Sequence, residues 1–279
     1  MTNASPGTLY LVATPIGNLS DISARAITTL QEVDFIAAED TRITRHLLEH
    51  LGIKKPMVSY YKHNSRSSGE KILTRIIEGE SCALVTDAGT PGISDPGEDL
   101  VRLCVEEDIH MVIIPGPCAV VSALALSGLP SGRFTFEGFL SSEKKKRSAQ
   151  LKELKTETRT MVFYEAPHKL VRTLTEMLKV LGNRHISISR EMTKIYEETL
   201  RMTVSEALVY FESKSPKGEF VLVIEGAVND IEPDIKLNEG KKIAVVLIEG
   251  GLSVKDAVKR AAIEAGCSRN ALYRAMIDN

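Results

Sequence analysis

The chain has 279 residues, of which 43% are hydrophobic and 26% charged, and its formal net charge is −2 at pH 7. This is an ordinary globular composition with no general tendency toward nucleic acid or membrane, so any basic contact surface has to be local. The length predicts two domains, with room for a small appendage.

The cysteines and the N-terminus indicate the compartment. Four cysteines are spread along the chain without a CxxC pair, so neither a zinc site nor a disulfide framework is expected. The first residues lack a basic segment ahead of their apolar run, and no later apolar stretch is long enough to span a bilayer. We therefore expect a cytoplasmic protein with reduced thiols, no metal and no membrane contact.

Through most of the chain, beginning with its first half, strand-like apolar runs alternate with helix-like periodic stretches, which is typical of an α/β fold with largely parallel strands. One helix is expected from about Ser20, which acts as its cap, and another over residues 41–52. Residues 127–134 are rich in glycine, serine and proline and predict a linker, so the first domain is assigned to residues 1–127. The strands expected in this half are residues 8–13, 35–38, 82–87 and 111–116.

The second half predicts another α/β domain, residues 134–226, and then a polar linker over residues 227–240. Residues 198–203 are expected to pair as an antiparallel strand. The tail, residues 240–279, predicts two short helices joined by a tight turn at Gly266, which is helix-turn-helix spacing. The expected caps of these helices are Ser253 and Ser268, and the other strands expected in the second domain are residues 134–139, 160–165, 185–189 and 219–226.

Four unusual loops follow strands of the first domain, at residues 14–18, 39–42, 86–97 and 115–119. Because the carboxyl ends of parallel strands share one edge of a sheet, these loops are expected to converge on one cleft. The chain has no GxxxxGK[ST] motif and no GxGxxG after a strand, so a nucleotide phosphate is not indicated. Aspartates and bare backbone suit a ligand with hydroxyls, a cation and a carboxylate, as S-adenosylmethionine has.

Several sequence blocks are similar to the signature blocks of the RsmI family, the 16S rRNA (cytidine 2′-O)-methyltransferases. The resemblance covers nearly the whole chain, and "AEDTR" together with "DAGTPGISDPG" is its most specific part. That family belongs to the tetrapyrrole methylase superfamily, so the resemblance implies two α/β domains with a cofactor cleft between them, usually in a homodimer. The blocks are "LYLVATPIGNLSDISARAITTL", "DFIAAEDTRITRHLL", "VTDAGTPGISDPG", "PGPCAVVSAL", "FYEAPHKL" and "GEFVLVIEG".

The resemblance also implies which residues contact S-adenosylmethionine. Relatives that act on tetrapyrroles have a GxGxGD loop after the first strand, whereas this chain has Thr14-Pro15-Ile16-Gly17-Asn18, which favours the rRNA branch. The cofactor contacts that the resemblance implies are Pro15, Asp87, Ala88, Gly89, Thr90, Ile93, Ser94, Cys118, Ala119, Tyr164, Gly218 and Glu219.

Methyl transfer from a sulfonium is an in-line displacement that depends on geometry and requires no metal. A ribose 2′-hydroxyl needs a neighbouring group to accept its proton. The candidates are Glu39, Asp40, Asp95 and His168, and we expect Asp95 or Asp40 to take this catalytic role. Arg42 is expected to steer an RNA phosphate.

Structural roles compete with these assignments. Asp40 also suits the cap of the following helix, and Asp87 and Asp95 also suit turns beside glycine and proline. His46 and His50 are four residues apart on one helix, where packing or exposure is a better explanation than metal binding. Cys118 is expected to be a small filler beside the cofactor.

Two basic surfaces are candidates for RNA contacts, although a run of charge is usually only a solvated face. The first follows Glu143, and the second lies in the tail, where docking against another domain is the alternative to binding RNA. The residues assigned to RNA binding are Lys144, Lys145, Lys146, Arg147, Lys259, Arg269 and Arg274.

Three functions remain open from the sequence. The one best supported is S-adenosylmethionine-dependent 2′-O-methylation of a cytidine in 16S rRNA of the small ribosomal subunit. The second is methylation of a tetrapyrrole or corrin precursor, which the first loop and the basic tail disfavour. The third is a non-catalytic nucleic-acid-binding regulator, which predicts tight binding to duplex DNA and no turnover.

Overall fold

The structure is a computed structural model, and it describes residues 6–61, 65–228 and 231–277. The chain divides into two compact units, Met1–Gly226 and Ala227–Asn279. No helix within the described ranges has both the length and the apolar composition needed to cross a membrane.

The first sheet of the larger unit contains five parallel strands in the order β3-β2-β4-β1-β5. Strands β2 and β4 are buried along their whole length, as their apolar sequences require in a sheet covered on both faces. The third strand was not expected from the sequence, because only three residues pair at this edge of the sheet. The strands are β1 Leu9–Val12, β2 Phe35–Ala38, β3 Met57–Ser59, β4 Cys82–Val85 and β5 Met111–Ile114.

Helices cover both faces of this sheet. Side chains alternate between a core that contains Leu9, Phe35 and Leu84 and one that contains Val12 and Ile36, because successive strand residues point to opposite faces. These helices are α1 Ala24–Glu32, α2 Thr41–His50, α3 Ser65–Ile77 and α4 Glu98–Glu106, and α5 Ala119–Ser127 follows β5.

The start of α1 differs from the prediction. Ser23, not Ser20, is the N-cap, and its Oγ accepts the N–H of Ala26 at 3.1 Å. Ser20 instead lies in a short 3₁₀ turn, Leu19–Asp21, which is capped by Asn18. Two polar residues compete to cap within a few positions here, and the local sequence does not distinguish them.

The second sheet also has five strands, in the order β6-β7-β10-β8-β9. Only β6 and β7 pair in parallel, and the other three pairs are antiparallel. The expectation of largely parallel strands therefore holds for the first sheet and is wrong for the second, although the antiparallel strand expected at residues 198–203 is confirmed. The strands are β6 Phe134–Phe139, β7 Thr160–Glu165, β8 His185–Arg190, β9 Glu198–Thr203 and β10 Phe220–Ile224.

One face of the second sheet carries the helices α6 Lys144–Glu153, α7 Leu170–Leu181 and α8 Val204–Glu212, which bury a large apolar core. The other face packs against α5, where Val120 and Leu124 contact Val162 and Val221. The two sheets are therefore joined through a shared apolar layer. The predicted domains 1–127 and 134–226 each hold one sheet inside a single compact unit, and their limits stay a prediction.

Within its described residues, the smaller unit contains three helices, α9 Ile231–Glu249, α10 Val254–Glu264 and α11 Arg269–Ile277. The linker predicted over residues 227–240 is wrong from Ile231 onward, and the predicted tail boundary at 240 falls inside α9. The polar composition of residues 227–240 did not indicate a helix. Pro233 is compatible with α9 because it lies in the first turn of the helix. A β-carbon on Gly240 would lie 3.0 Å from the Cys267 Sγ, so glycine permits close packing there.

The helix-turn-helix spacing of the tail is confirmed. Ser253 caps α10 by accepting the N–H of Asp256, and Gly266 adopts a φ of 62° in the turn. Ser268 accepts the N–H of Ala271 at the start of α11. Ala244, Val258, Ala261 and Leu272 form a small buried core of their own.

Candidate active site

The loops that leave the first sheet meet at one edge, as expected. Thr14 and Gly89 pair like a single rung of antiparallel sheet, with N–H to carbonyl distances of 2.9 and 3.0 Å. The Thr90 hydroxyl donates to the Pro117 carbonyl at 3.3 Å. The segments after β1, β4 and β5 are therefore held together by direct hydrogen bonds.

A cavity of about 300 Å³ opens at this edge, and its wall is formed by the loops that leave the first sheet and by strands of the second. The second sheet supplies an aromatic wall, in which the rings of Phe139 and Tyr164 lie 5.4 Å apart. Burial raises the pKa of the Tyr164 phenol, so its hydroxyl stays protonated. The lining residues are Ile16, Ala88, Gly89, Thr90, Ile93, Asp95, Cys118, Ala119, Phe139, Tyr164, Glu165, Ala166, Pro167, Met192, Glu219, Phe220 and Val221.

Most residues assigned to the cofactor line this cavity. Pro15, Asp87, Ser94 and Gly218 do not, although each adjoins a residue that does. Ser94 lies against the second sheet, since a β-carbon on Gly138 would be 3.3 Å from its Oγ. The assigned residues in the lining are Ala88, Gly89, Thr90, Ile93, Cys118, Ala119, Tyr164 and Glu219.

The sequence assignment missed nearly half of the wall. Met192 comes from a loop that carries no recognisable motif, so no local signal identifies it. Glu165 and Phe220 lie in blocks that resemble the RsmI family, and that resemblance was the available signal. The other missed residues are Ile16, Phe139, Ala166, Pro167 and Val221.

A cluster of carboxylates lies beside the cavity, after β2 and β4. The Asp87 Oδ1 accepts the N–H of Asp40 at 3.0 Å, and the Glu39 Oε2 accepts the N–H of Asp87 at 3.3 Å. Burial raises the pKa of both Glu39 and Asp87, and the charges of neighbouring carboxylates add to that rise. The sheet edge therefore carries a negative field.

Asp95 is the carboxyl of this group that faces the cavity. Burial raises its pKa from 3.8 to about 7, and the charges of Glu39 and Asp87 contribute further to the rise. A carboxyl in this range exchanges protons near neutral pH, which is the property that a proton acceptor needs.

Asp40 has a different environment, and its predicted capping role is confirmed. It is the N-cap of α2 and accepts the N–H of Arg42 at 2.8 Å. The Arg42 guanidinium also donates to both carboxylate oxygens and lowers the pKa of Asp40 to about 2. Neither side chain lines the cavity, and the Arg42 side chain is 83% exposed.

The cavity lining holds three carboxylates, Asp95, Glu165 and Glu219, and its described members include no lysine, arginine or histidine. Its remaining surface is mostly apolar side chain and backbone. Gly89 has a φ of 84°, a conformation that disfavours a side chain and leaves the backbone open toward Ile16. This arrangement suits a ligand that is partly apolar and carries positive charge.

Of the two histidines on α2, His46 has a carboxylate neighbour on the same helix and is largely exposed. His46 lies 3.7 Å from the Glu49 carboxylate and its side chain is 83% exposed. No group of three or more His, Cys, Asp or Glu is arranged to hold a metal ion within the part of the chain that the structure describes.

The basic run on α6 separates into two kinds of residue. Lys144, Lys145 and Lys146 are exposed, and Lys146 pairs with Glu143 at 2.9 Å. Arg147 is only 3% exposed and its guanidinium donates to Glu176 at 2.6 and 2.8 Å. The assignment of Arg147 to RNA binding is therefore wrong, because its donors are enclosed by protein groups.

The basic residues assigned in the tail are accessible. Lys259 lies on α10, and Arg269 and Arg274 lie on α11, and all three are exposed. Their assignment to RNA binding stays a prediction.

Comparison with known proteins identifies the family of this chain. The family model described as Tetrapyrrole (Corrin/Porphyrin) Methylases matches residues 8–208. A ribosomal RNA small subunit methyltransferase I from Halalkalibacterium halodurans is 47% identical over 270 residues, which are 96% of this chain and 93% of that protein. A protein of the same name from Thermotoga maritima is 50% identical over 220 residues, which are 79% of this chain and 99% of that protein.

The solved structures that match share the fold at low sequence identity. A uroporphyrin-III-C-methyltransferase from Thermus thermophilus superposes with a TM-score of 0.56 and 18% identity, over 78% of this chain and 94% of that one. The match confirms the two-sheet α/β architecture. The chain therefore belongs to the tetrapyrrole methylase family and, within it, to the ribosomal RNA small subunit methyltransferase I family that its motifs resemble.

Proposed function

We propose that this protein transfers a methyl group from S-adenosylmethionine to the ribose 2′-hydroxyl of a cytidine in the 16S rRNA of the small ribosomal subunit. The observation that carries the proposal is the acid-lined cavity at the edge of the first sheet, in a chain 47% identical to a named rRNA methyltransferase. The carboxylates and the rigid loops are what such a reaction needs.

The cavity fits S-adenosylmethionine by its chemistry. Apolar walls from Ile16, Met192 and Phe139 suit the adenine and the aliphatic part of the donor. The carboxylates suit its ammonium, its sulfonium and its ribose hydroxyls, and the bare backbone of the 86–97 loop suits its carboxylate.

The donor supplies a methyl group bonded to a sulfonium, which is already an activated leaving group. The protein therefore has to orient the methyl donor and the ribose 2′-hydroxyl and to accept the proton of that hydroxyl. Asp95 is the proton acceptor that we propose, because its pKa of about 7 leaves a usable fraction of carboxylate near neutral pH. Asp40 is a weaker candidate, since a pKa of about 2 makes its carboxylate a poor base.

The substrate backbone is assigned to cations outside the cavity. Arg42 follows the acidic cluster at the same sheet edge, and although its guanidinium is paired with Asp40, its side chain is 83% exposed, which suits contact with a phosphate. Lys144, Lys145 and Lys146 on the larger unit, and Lys259, Arg269 and Arg274 on the smaller one, are proposed as further phosphate contacts. These contacts add affinity without reading sequence.

We extend the proposal to a cytoplasmic homodimer. The large unit exposes apolar side chains on α5 and on the edge strand β5, among them Ile113, Val121 and Leu126. Exposed apolar groups at an unpaired sheet edge are typical of a surface that another chain covers. Sedimentation of the purified protein measures this directly.

Methyl transfer to small ribosomal subunits tests the proposed function. The subunits come from a strain that lacks the gene for this chain, and the donor carries a radiolabelled methyl group. Label is expected in 16S rRNA at the 2′-oxygen of one cytidine, and subunits from the unmodified strain serve as the control because their site is already methylated. Absence of label, or label on a corrin precursor only, would contradict the proposal.

A further inference from the structure

The loop between β8 and β9, residues 191–197, lies at the mouth of the cavity. Met192 lines the cavity and is 8% exposed, packed with Ile16 and Cys118. The loop therefore begins inside the proposed donor site and continues outward from it.

Ion pairs and hydrogen bonds hold the 191–197 loop firmly. The Lys194 Nζ donates to Glu191 at 3.1 Å and to Glu219 at 3.0 Å. The Glu197 carboxylate accepts the N–H of Thr193 at 2.8 Å. A loop fixed at both ends and across its middle has little freedom to rearrange on binding.

The 191–197 loop also lies against the first sheet's loops. A β-carbon on Gly17 would meet the Lys194 Cγ at 2.5 Å and the Thr193 Oγ1 at 2.9 Å, so glycine is required for this approach. Glu191 and Thr193 adopt φ values of 51° and 67°, which cost free energy in residues other than glycine. Such strain persists where the surroundings fix the backbone, often at functional sites.

Beyond Met192, this rigid loop places two further apolar side chains in solvent. Ile195 is 95% exposed and Tyr196 is 73% exposed. Single exposed apolar residues need no explanation, but adjacent ones on a strained loop beside a binding cavity do.

We propose that Tyr196 stacks on a nucleobase of the RNA substrate and thereby positions the strand whose ribose enters the cavity. The inference rests on the proposed function, since it names how that same site holds its substrate. Sequence-tolerant stacking on an aromatic ring is the common way in which proteins hold unpaired bases. Tyr196 is then a positioning residue that does not take part in the proton transfer.

A nucleobase fits the observations better than a second copy of this chain. Ion pairs to Glu191 and Glu219 neutralise Lys194, so the loop has no free cation of its own to grip phosphate. The loop is continuous with the wall that Met192 contributes, so whatever contacts its tip is next to the reaction site. A rigid ring with an open face suits stacking, whereas a protein interface requires only apolar area.

Substitutions at Tyr196 separate these requirements in the methyl-transfer assay on small ribosomal subunits. Tyr196→Ala and Tyr196→Leu are both expected to raise KM for the subunit by roughly 5- to 100-fold, the range for loss of one stacked base. Tyr196→Phe keeps the ring and is expected to stay within about twofold of the wild type. The donor Kd and kcat at saturating subunit are expected to stay unchanged in all three.

Val209→Ala is the matched control, because Val209 is 68% exposed and lies on α8, away from the cavity lining. It removes a similarly exposed apolar side chain and is expected to leave KM unchanged. If it raised KM as Tyr196→Ala does, a general loss of apolar surface would explain both results and the inference would fail.

A fluorescence measurement tests contact without turnover. The chain contains no tryptophan, so Tyr196→Trp places a single reporter at the tip of the loop. Small ribosomal subunits from the strain without the gene are expected to quench its emission, and a Val209→Trp reporter is expected to stay bright. Equal response of the two reporters would overturn the proposal.

Two further results would overturn the inference while leaving the proposed function intact. One is wild-type KM in Tyr196→Leu, which would show that apolar area suffices. The other is a change in sedimentation of Tyr196→Ala, which would assign the tip to contact between copies of this chain. Failure of the wild-type protein to methylate any subunit would instead contradict the proposed function itself.

Discussion

Asp87 accepts the backbone N–H of Asp40 at 3.0 Å, and this hydrogen bond joins the loops that follow β4 and β2. The carboxylate holds the backbone of the helix cap, and through it the start of α2. Asp87 is not among the residues that line the cavity, so it supports the site from behind the lining, while its charge raises the pKa of Asp95.

Substitutions of Asp87 separate the hydrogen bond from the charge. Asp87→Asn keeps an acceptor oxygen and is expected to change the free energy of unfolding by less than about 1 kcal/mol. Asp87→Ala leaves the Asp40 N–H without its partner and is expected to cost about 1–2 kcal/mol in urea unfolding. Equal destabilisation by both variants would show that the charge, not the bond, matters to stability.

The rate of methyl transfer is expected to depend on the protonation of Asp95. Only the carboxylate form accepts a proton, so kcat/KM should rise with pH through a midpoint near 7 in the wild type. Asp95→Asn is expected to lower the rate by roughly 10²–10⁴-fold and to abolish that midpoint. A full rate in this variant, or a midpoint near 4, would remove Asp95 from the proposed role.

The same residue should make stability depend on pH. The folded pKa of Asp95 lies near 7 and its ordinary value is 3.8, so the folded chain binds this proton more tightly than the unfolded chain does. The contribution of Asp95 to the free energy of unfolding is therefore fully present below about pH 4 and is lost as the pH rises to 7. Asp95→Asn stays uncharged, and above pH 7 it should be more stable than the wild type by about 1 kcal/mol after solvent screening.

Thermal and urea unfolding at pH 5 and pH 8 measure that effect. The difference between Asp95→Asn and the wild type is expected to grow between the two pH values. A variant that is less stable at pH 8 than at pH 5, relative to the wild type, would contradict the raised pKa. Lower activity with higher stability is the usual relation at a functional site.

Arg147 and the neighbouring lysines are expected to affect different properties. Arg147→Met leaves the half-enclosed Glu176 without its partner and should lower the free energy of unfolding by about 2–4 kcal/mol. Its affinity for the subunit, measured under conditions where the variant is folded, should match the wild type. Lys144→Ala combined with Lys145→Ala should leave stability within about 0.5 kcal/mol and reduce the salt slope of RNA binding by about 1–2. The reverse pattern would restore Arg147 to the RNA surface.

The sequence predicted the first sheet well because its signals are local. Four of its strands are short apolar runs bounded by glycine, proline or aspartate, and their parallel pairing follows from the helices between them. The antiparallel order of the second sheet depends on which strands meet across the fold. Strand β10 lies between β7 and β8, far from its neighbours in sequence, and no local pattern encodes that placement.

The residues of the site likewise fall into those that the local sequence indicated and those that it did not. The loop of residues 86–97 has a distinctive composition and was identified, whereas Met192 was missed because an ordinary loop brings it to the cavity only in the folded chain. Arg147 is the opposite case. Its basic neighbours indicated a surface residue, but the Arg147 side chain lies on the inner face of α6, where it pairs with Glu176.

Removing the smaller unit tests whether donor binding depends on residues 1–226 alone and whether the tail contributes to substrate binding. The smaller unit has its own buried core, and the relative from Thermotoga maritima matches over 220 residues, close to the 226 of the larger unit. A chain of residues 1–226 is therefore expected to fold and to bind S-adenosylmethionine with a Kd within about twofold of the full chain, since all residues that line the cavity lie within it. Its KM for the small ribosomal subunit should be higher.

The matched full-length variant carries Lys259→Ala, Arg269→Ala and Arg274→Ala. If these cations contact phosphate, the variant should reproduce the higher KM and reduce the slope of log affinity against log salt by about 2–3. An unchanged KM in both proteins would exclude the tail from substrate binding. A higher KM in the truncated chain alone would mean that the tail acts through its shape or through another domain, because the charges would then be dispensable.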